Sequence, residues 1–418
     1  LNSLSSITEF VKLITAPSGP RGIAAVPSVA DMRLLAKKKN PKMIFDFVDG
    51  GAGDEVTLRA NEADLARVVL TPRTLVDVKQ QDTTAHFAGE KFPLPIVLGP
   101  AGLVRVVGNG GELGAVKAAG ARGIPYTIST SSAWSIEEIA DVATGPLWFQ
   151  LYLWRSKEMI ANLVARAKDA GCSAIVLTVD VPLNANRIRD LRNGMSIPPR
   201  LSIRNAYEAL RRPAWLLDML QAPPIGFRNF QGIAEGDSAK SHSEFINTQL
   251  ANLSADWDDL AWLRRTWDGA LYIKGITTVE DTRRALSAGV DGIIVSNHGG
   301  RQLDGLPSSV SAFPRIADAI NGQVDLMLDG GIRTGVDIAR ALALGANAVT
   351  IARPWVYGVA ASGQRGVERV MAILEQEFKQ TLALVGANSA IELDGSFAHF
   401  PSEWLENPTR TSDSVSVS

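Results

Sequence analysis

From Pro95 onward the chain repeats one unit: a short apolar run, a turn, then an Ala/Leu-rich helical stretch. Eight runs occur, at Pro95–Gly99, Tyr126–Ser129, Leu147–Leu151, Ala174–Val179, Leu271–Lys274, Gly292–Ser296, Asp325–Leu328 and Ala348–Ile351. Helical patterns separate most of them, as at Glu112–Ala121, Lys157–Ala170, Thr278–Ala288 and Gly335–Leu344. Continuous apolar runs suit strands covered on both faces. Alternation with helices implies parallel pairing. Eight units between residues 95 and 351 predict a closed (β/α)8 TIM barrel, of α/β class.

Two helices are expected before the barrel. One begins near Ser28 and carries Lys37, Lys38 and Lys39 toward its end; the other spans about Pro41 to Val48 and stops at Asp49-Gly50-Gly51. The rhythm breaks after the fourth run, where a long insertion occupies about residues 193–257. The expected organisation is an N-terminal extension over 1–27, a barrel domain over 28–395, and a C-terminal tail over 396–418 whose last residues are expected to be disordered.

Of 418 residues, 46% are hydrophobic, enough for a large core, and the net charge of −2 supplies no basic field for nucleic acid. Cys172 is the single cysteine, which excludes an internal disulfide framework and fits a reducing compartment. The first residues lack a signal-peptide pattern, and no apolar run reaches the length of a membrane span, so a cytoplasmic protein is expected. His86, His242, His298 and His399 are scattered, so no metal site is expected. Within the insertion, Arg204–Met219 carries Tyr207, Leu210, Trp215, Leu216, Leu217 and Met219 beside Arg204, Arg211 and Arg212. It reads either as one helix lying on a membrane surface or as a lid over the barrel mouth.

The reactive side chains follow the strands. Tyr152 comes after the third, Asp180 after the fourth, Lys274 ends the fifth, and His298 follows the sixth. Asp329-Gly330-Gly331 follows the seventh and Arg353 the eighth. In a barrel these positions converge on the C-terminal face. His298 can exchange a proton near neutral pH, and Arg301, three residues on, can grip a carboxylate with paired hydrogen bonds. Gly330, Gly331, Arg333, Ala352 and Arg353 lie where barrels hold a phosphate. Lys274 can stabilise an anionic reduced flavin; a Schiff base is its rival role. Gly108-Asn109-Gly110-Gly111 has the wrong spacing for a dinucleotide fingerprint and reads as a loop before a helix.

The segment Ser296-Asn297-His298-Gly299-Gly300-Arg301-Gln302-Leu303-Asp304 resembles the signature of the FMN-dependent α-hydroxy acid oxidising enzymes. Trp148–Tyr152, Thr178-Val179-Asp180, Ile273-Lys274-Gly275 and Leu328–Arg333 support the resemblance in order, over about residues 28–395. Arg189-Asp190 and Asn193–Ser196, with the insertion, are most similar to the bacterial L-lactate and mandelate dehydrogenase branch. The resemblance implies FMN as cofactor and a 2-hydroxy acid as substrate, lactate first and an aryl acid such as mandelate second. His298 would be the base, Asp180 its partner, and Tyr152 a hydrogen-bond donor to substrate oxygen. Arg187 and Arg301 would hold the carboxylate. Ala101, Gly102, Ser129, Gln150, Thr178, Lys274 and Ser296 would contact the flavin and ribityl, and Asp329, Gly330, Gly331, Arg333, Ala352 and Arg353 the ribityl and phosphate. The implied acceptor is a quinone, with peripheral contact to the inner face of the membrane through 204–219, or else O2; a homotetramer is implied too.

Some positions depart from the family pattern. Phe47 replaces a tyrosine whose hydroxyl would bind the carboxylate, Ala101 a threonine, Ala185 and Ala352 glycines, and Gly53 a glutamate. Ser131 stands where a bulky tryptophan covers a small substrate in glycolate oxidases, which implies room for a larger one. Loss of the hydroxyl at Phe47 keeps a third reading open, an FMN-binding protein with weakened catalysis.

Overall fold

In the computed structural model, residues 21–108, 110–195, 202–221, 225–231 and 252–406 are described. The first 20 positions of the expected extension, Asn109, much of the insertion, and the tail beyond residue 406 lie outside them. Eight parallel strands close into a barrel: β1 (Ile96–Leu98), β2 (Tyr126–Ser129), β3 (Leu147–Tyr152), β4 (Ala174–Thr178), β5 (Ala270–Ile276), β6 (Gly292–Val295), β7 (Asp325–Asp329) and β8 (Ala348–Ile351). Each pairs with its sequence neighbours, and β8 pairs with β1 through Val349–Ile96 and Ile351–Leu98. The predicted strands match within a residue or two, because strands buried on both faces read as unbroken apolar runs.

Side chains fill the barrel interior. Val97, Trp148, Val176, Tyr272, Ile294 and Met327 form its core, with Trp148 stacked on Tyr272 at 4.9 Å between ring centres. Truncating a buried aromatic of this kind costs about 3–5 kcal/mol. A hairpin of Ala85–Phe87 and Glu90–Phe92 packs Phe87 edge-on against Trp148 and plugs the N-terminal end. The open end is therefore the C-terminal face.

Three helices precede the barrel, α1 (Val29–Lys39), α2 (Lys42–Asp49) and α3 (Val56–Ala66), and Phe47 and Val48 of α2 and Asn61 of α3 reach that face. Ser28 caps α1 by accepting from the Asp31 amide, and three lysines close its last turn, as charge complementarity at helix ends requires. α2 is tied down through Asp49, which accepts from Arg33, Arg189 and the Tyr357 hydroxyl.

The insertion corrects one expectation. Arg204–Met219 is not one helix but parts of two, α4 (Ile203–Leu210) and α5 (Pro213–Gln221). Pro213 starts the second because its ring cannot continue the first, while its missing N–H costs nothing in a first turn. The Trp215 indole N–H of α5 donates to the Val106 carbonyl at 2.8 Å, which docks the pair beside the loop after β1. Ile203, Tyr207, Leu210, Leu217 and Leu220 remain exposed. The segment α6 (Arg353–Val385) follows β8, is helical on either side of a kink at Ser362-Gly363, and packs against α1. Packing continues past residue 395, since Phe397 and Trp404 are buried and Ala398–His399 pairs with Val69–Leu70.

Candidate active site

A cavity of about 300 Å³ opens at the C-terminal face. It is lined by seventeen of the nineteen residues singled out from sequence: Phe47, Ala101, Gly102, Ser129, Gln150, Tyr152, Thr178, Arg187, Lys274, His298, Arg301, Asp329, Gly330, Gly331, Arg333, Ala352 and Arg353. Asp180 and Ser296 stand behind this lining. Asp180 Oδ1 lies 2.8 Å from His298 Nδ1. The Ser296 hydroxyl is fully buried; it accepts from Lys274 Nζ at 2.9 Å and the His298 amide at 2.9 Å, and donates to Asp329 at 2.6 Å. Ser296 thus braces the site rather than facing the cavity. Ser131 also lines it.

His298 is held in an unusual way. Its φ of 58° is left-handed, which costs a non-glycine residue about 1–3 kcal/mol. Asn297, at the start of the same turn, exchanges two hydrogen bonds with Asn61 of α3, both 2.8 Å, and accepts from the Gly300 amide. Gly300 (φ 72°) packs so close to α3 that a Cβ would sit 2.5 Å from the Leu58 amide. The buried amide pair offsets the strain and fixes the ring on Asp180. Asn61 had not been singled out; it lies 236 residues from Asn297, and nothing local in the sequence links them.

The basic groups form a second cluster. Arg301 Nη1 donates to the carbonyls of Phe47 and Gly50, both 2.9 Å. Arg353 donates to Gly50, Gly299 and Val48. The C-terminal carbonyls of α2, the negative end of the helix, thereby hold both guanidinium groups. Burial, then the charges of Arg187 and Arg353, push the Arg301 pKa down, and burial does the same to Arg353. Such crowding of positive charge favours an anion. The Phe47 ring sits between two of these groups, 6.0 Å from Arg187 and 5.5 Å from Arg301.

Lys274 and Asp329 form a buried ion pair at 3.1 Å. Burial opposes the charge on each, yet Asp329 and Asp180 raise the lysine pKa, and Lys274, Ser296 and Thr350 lower that of Asp329. Burial, reinforced by Asp180, pushes the Tyr152 phenol upward, so it stays a donor. Two polar atoms on the cavity wall have no partner, Gln150 Nε2 and Thr178 Oγ1. A buried amide or hydroxyl left so costs about 1–3 kcal/mol, which marks a place for a polar ligand. Beyond them, Gly331 (φ 84°) would drive a Cβ to 2.3 Å from the Asn61 carbonyl, so only glycine lets this loop run flat under a ligand. Arg333 borders it and pairs with Glu62 at 2.8 Å.

Other wall residues were missed. Asn184, Val181 and Gln302 come from loops after β4 and β6, and Phe227 from the insertion. Among the described residues, no group of three or more His, Cys, Asp or Glu side chains could hold a metal.

The family of FMN-dependent dehydrogenases matches residues 36–399. The chain is 42% identical over 371 residues to an L-lactate dehydrogenase of Ectopseudomonas mendocina, covering 88% of this chain and 97% of that one. It is 40% identical over 370 residues to an L-lactate dehydrogenase of Alcaligenes faecalis, again 88% and 97% covered. Among solved structures, the monotopic membrane protein (S)-mandelate dehydrogenase superposes with a TM-score of 0.87 at 34% identity, covering 90% of this chain and all of that one. A mandelate oxidase gives 0.75 at 38% identity, with 87% and 96% covered.

Proposed function

Because the chain belongs to the FMN-dependent dehydrogenase family, and is an FMN-dependent 2-hydroxy acid dehydrogenase or oxidase, we propose that it oxidises an L-2-hydroxy acid, L-lactate first, to the 2-oxo acid. The observation that carries this reading is the His298–Asp180 pair at 2.8 Å in a cavity walled by Arg187 and Arg301. The carboxylate accepts from Nδ1–H, which leaves Nε2 as the base for the substrate hydroxyl. Asp180 then stabilises the imidazolium that forms. Arg187 and Arg301 hold the substrate carboxylate, and the neutral Tyr152 phenol donates to the substrate oxygen.

The residues present fit FMN. Gln150 and Thr178 offer unpartnered polar atoms to the ring system, and the Gly330-Gly331 loop with Arg333 and the start of α6 offers donors to the phosphate. FMN, when bound, supplies the two-electron acceptor that takes hydride from the substrate carbon. Lys274, kept cationic by Asp329, would hold a positive charge beside the ring system of bound FMN.

The exposed apolar residues of α4 and α5 support a membrane quinone as acceptor and peripheral attachment to the inner face of the membrane. No described helix is long and apolar enough to cross a membrane. The second reading, an oxidase passing electrons to O2, is favoured by the likeness to mandelate oxidase. A tetramer belongs to this proposal and is checked by light scattering.

The test is anaerobic mixing of the holoenzyme with L-lactate, L-mandelate and glycolate while the visible flavin band is followed. Rapid bleaching by one acid supports the reading, and slow return of colour in air supports the dehydrogenase over the oxidase. A flavin bleached by no hydroxy acid would leave an FMN-binding protein with a retired site.

A further inference from the structure

The insertion does more than present an apolar surface. Its return segment, residues 225–231, is fastened to the barrel. Asn229, fully buried, donates from Nδ2 to the Ser129 and Thr130 carbonyls at 3.3 and 3.1 Å and accepts at Oδ1 from the Ile136 amide at 2.9 Å. Next to it, Phe230 packs edge-on against Trp154, and Trp154 against Tyr152, with ring centres 5.1 and 5.9 Å apart. These contacts hold the segment to the loop after β2 and, through two rings, to a substrate-contacting tyrosine.

Phe227, two residues before Asn229, is almost wholly buried and lines the cavity. Among the described residues it is the insertion's sole contribution to that lining. Ser131, two residues beyond the Ser129 carbonyl that Asn229 holds, lines the same cavity with a short side chain. A short side chain after β2 and an aromatic from the insertion thus line the same cavity, and Phe227 is a part of that wall no barrel strand supplies.

We propose that Phe227 is a specificity-determining residue: its ring is the wall against which the substrate side chain, the group on the carbinol carbon, is sized. This rests on the cavity being the hydroxy-acid site. The ring would set the upper limit on that side chain, admitting the methyl of L-lactate and selecting among larger branched aliphatic and aryl groups. Apolar pockets discriminate by about 10- to 200-fold per methylene, so changes in this wall have a readable effect.

The experiment measures kcat/KM of the FMN holoenzyme and of Phe227→Ala and Phe227→Trp with L-lactate, L-2-hydroxyisocaproate and L-mandelate, with bound flavin per chain as the folding control. The expected result is that Phe227→Ala raises the bulky-to-lactate ratio by about tenfold or more and Phe227→Trp lowers it, with the changes mainly in KM. Flavin-loaded variants with unchanged ratios would overturn the proposal while leaving the hydroxy-acid activity intact. If Phe227→Ala binds no flavin, Phe227→Leu and Phe227→Trp decide the same question. Wild-type flavin that no acid reduces would overturn the underlying reading and this proposal together.

Discussion

At position 47 a phenyl ring without a hydroxyl faces the basic cluster of the cavity. The Phe47 ring lies within about 6 Å of both the Arg187 and Arg301 guanidinium groups, so it interacts with the cations it cannot help hydrogen-bond to the substrate. Phe47→Tyr would add a donor to a charged carboxylate, worth about 1.5–3 kcal/mol. The expected outcome is a KM for the hydroxy acid lower by tenfold or more with kcat little changed. An unchanged KM would place the carboxylate away from this ring. Asp180→Asn tests the other half of the site. It keeps the shape but removes the charge that stabilises the imidazolium, so kcat should fall by about 10²-fold or more in stopped-flow flavin reduction. Retention of the wild-type rate would show that the Asp180 charge does not stabilise the imidazolium of His298. The signature motif made His298 and Arg301 legible in the sequence because base, glycines and arginine are contiguous. Asn61 was not legible: its role is a reciprocal amide pair formed only when α3 meets the loop after β6.

The eight strands could be read at the level of elements because their pattern is local, while the insertion could not. Arg204–Met219 keeps apolar and basic residues at helical spacing across Arg211–Pro213, and spacing alone does not reveal that the proline begins a new helix. The break matters, since it turns one rod into a short pair that exposes Ile203, Leu210, Leu217 and Leu220. Replacing Leu217 and Leu220 with Ser should weaken sedimentation with anionic vesicles by about tenfold or more, as each buried leucine is worth roughly 1.5–3 kcal/mol. Flavin reduction by the substrate should persist. Binding that is unaffected would leave the lid reading of the segment. On the other side of the mouth, α2 depends on Asp49. Burial would raise its pKa, but hydrogen bonds from Arg33, Arg189 and Tyr357 win and hold it at about 2. A depressed carboxyl adds stability that is fully present above its unfolded value and is lost as pH falls through the folded one, here from about 4 toward 2. Asp49→Asn should therefore cost roughly 2 kcal/mol at neutral pH and flatten the acid limb of stability measured by denaturant titration. An unchanged acid limb would show that other carboxyls set it.

For the molecule as a whole, one end of the barrel is closed by its own core and the other is left for ligands. The hairpin closes that end with packed rings, Phe87 stacked on Phe92 and edge-on to Trp148, whose buried indole N–H has no partner. The cavity face differs in opening onto space a ligand can fill: Gln150 and Thr178 have unpartnered polar atoms on its wall and Arg301 is buried among like charges. Loops after β1, β2, β4, β6, β7 and β8 all border that space, so a cofactor seated there touches all of them at once. FMN binding is then part of the folding free energy. At a hundredfold excess of FMN over its Kd the holoprotein should gain about 2.7 kcal/mol over the apoprotein. That gain should appear as a concentration-dependent rise in Tm and as protection of the cavity loops, but not of the hairpin, in hydrogen exchange. Gly331→Ala should remove most of it, because a methyl group has no room against the Asn61 carbonyl, while Gln150→Ala should remove part, with one polar partner lost. Equal protection of both ends would mean that the flavin stabilises the barrel as a single unit and that its C-terminal face is no less complete than its base.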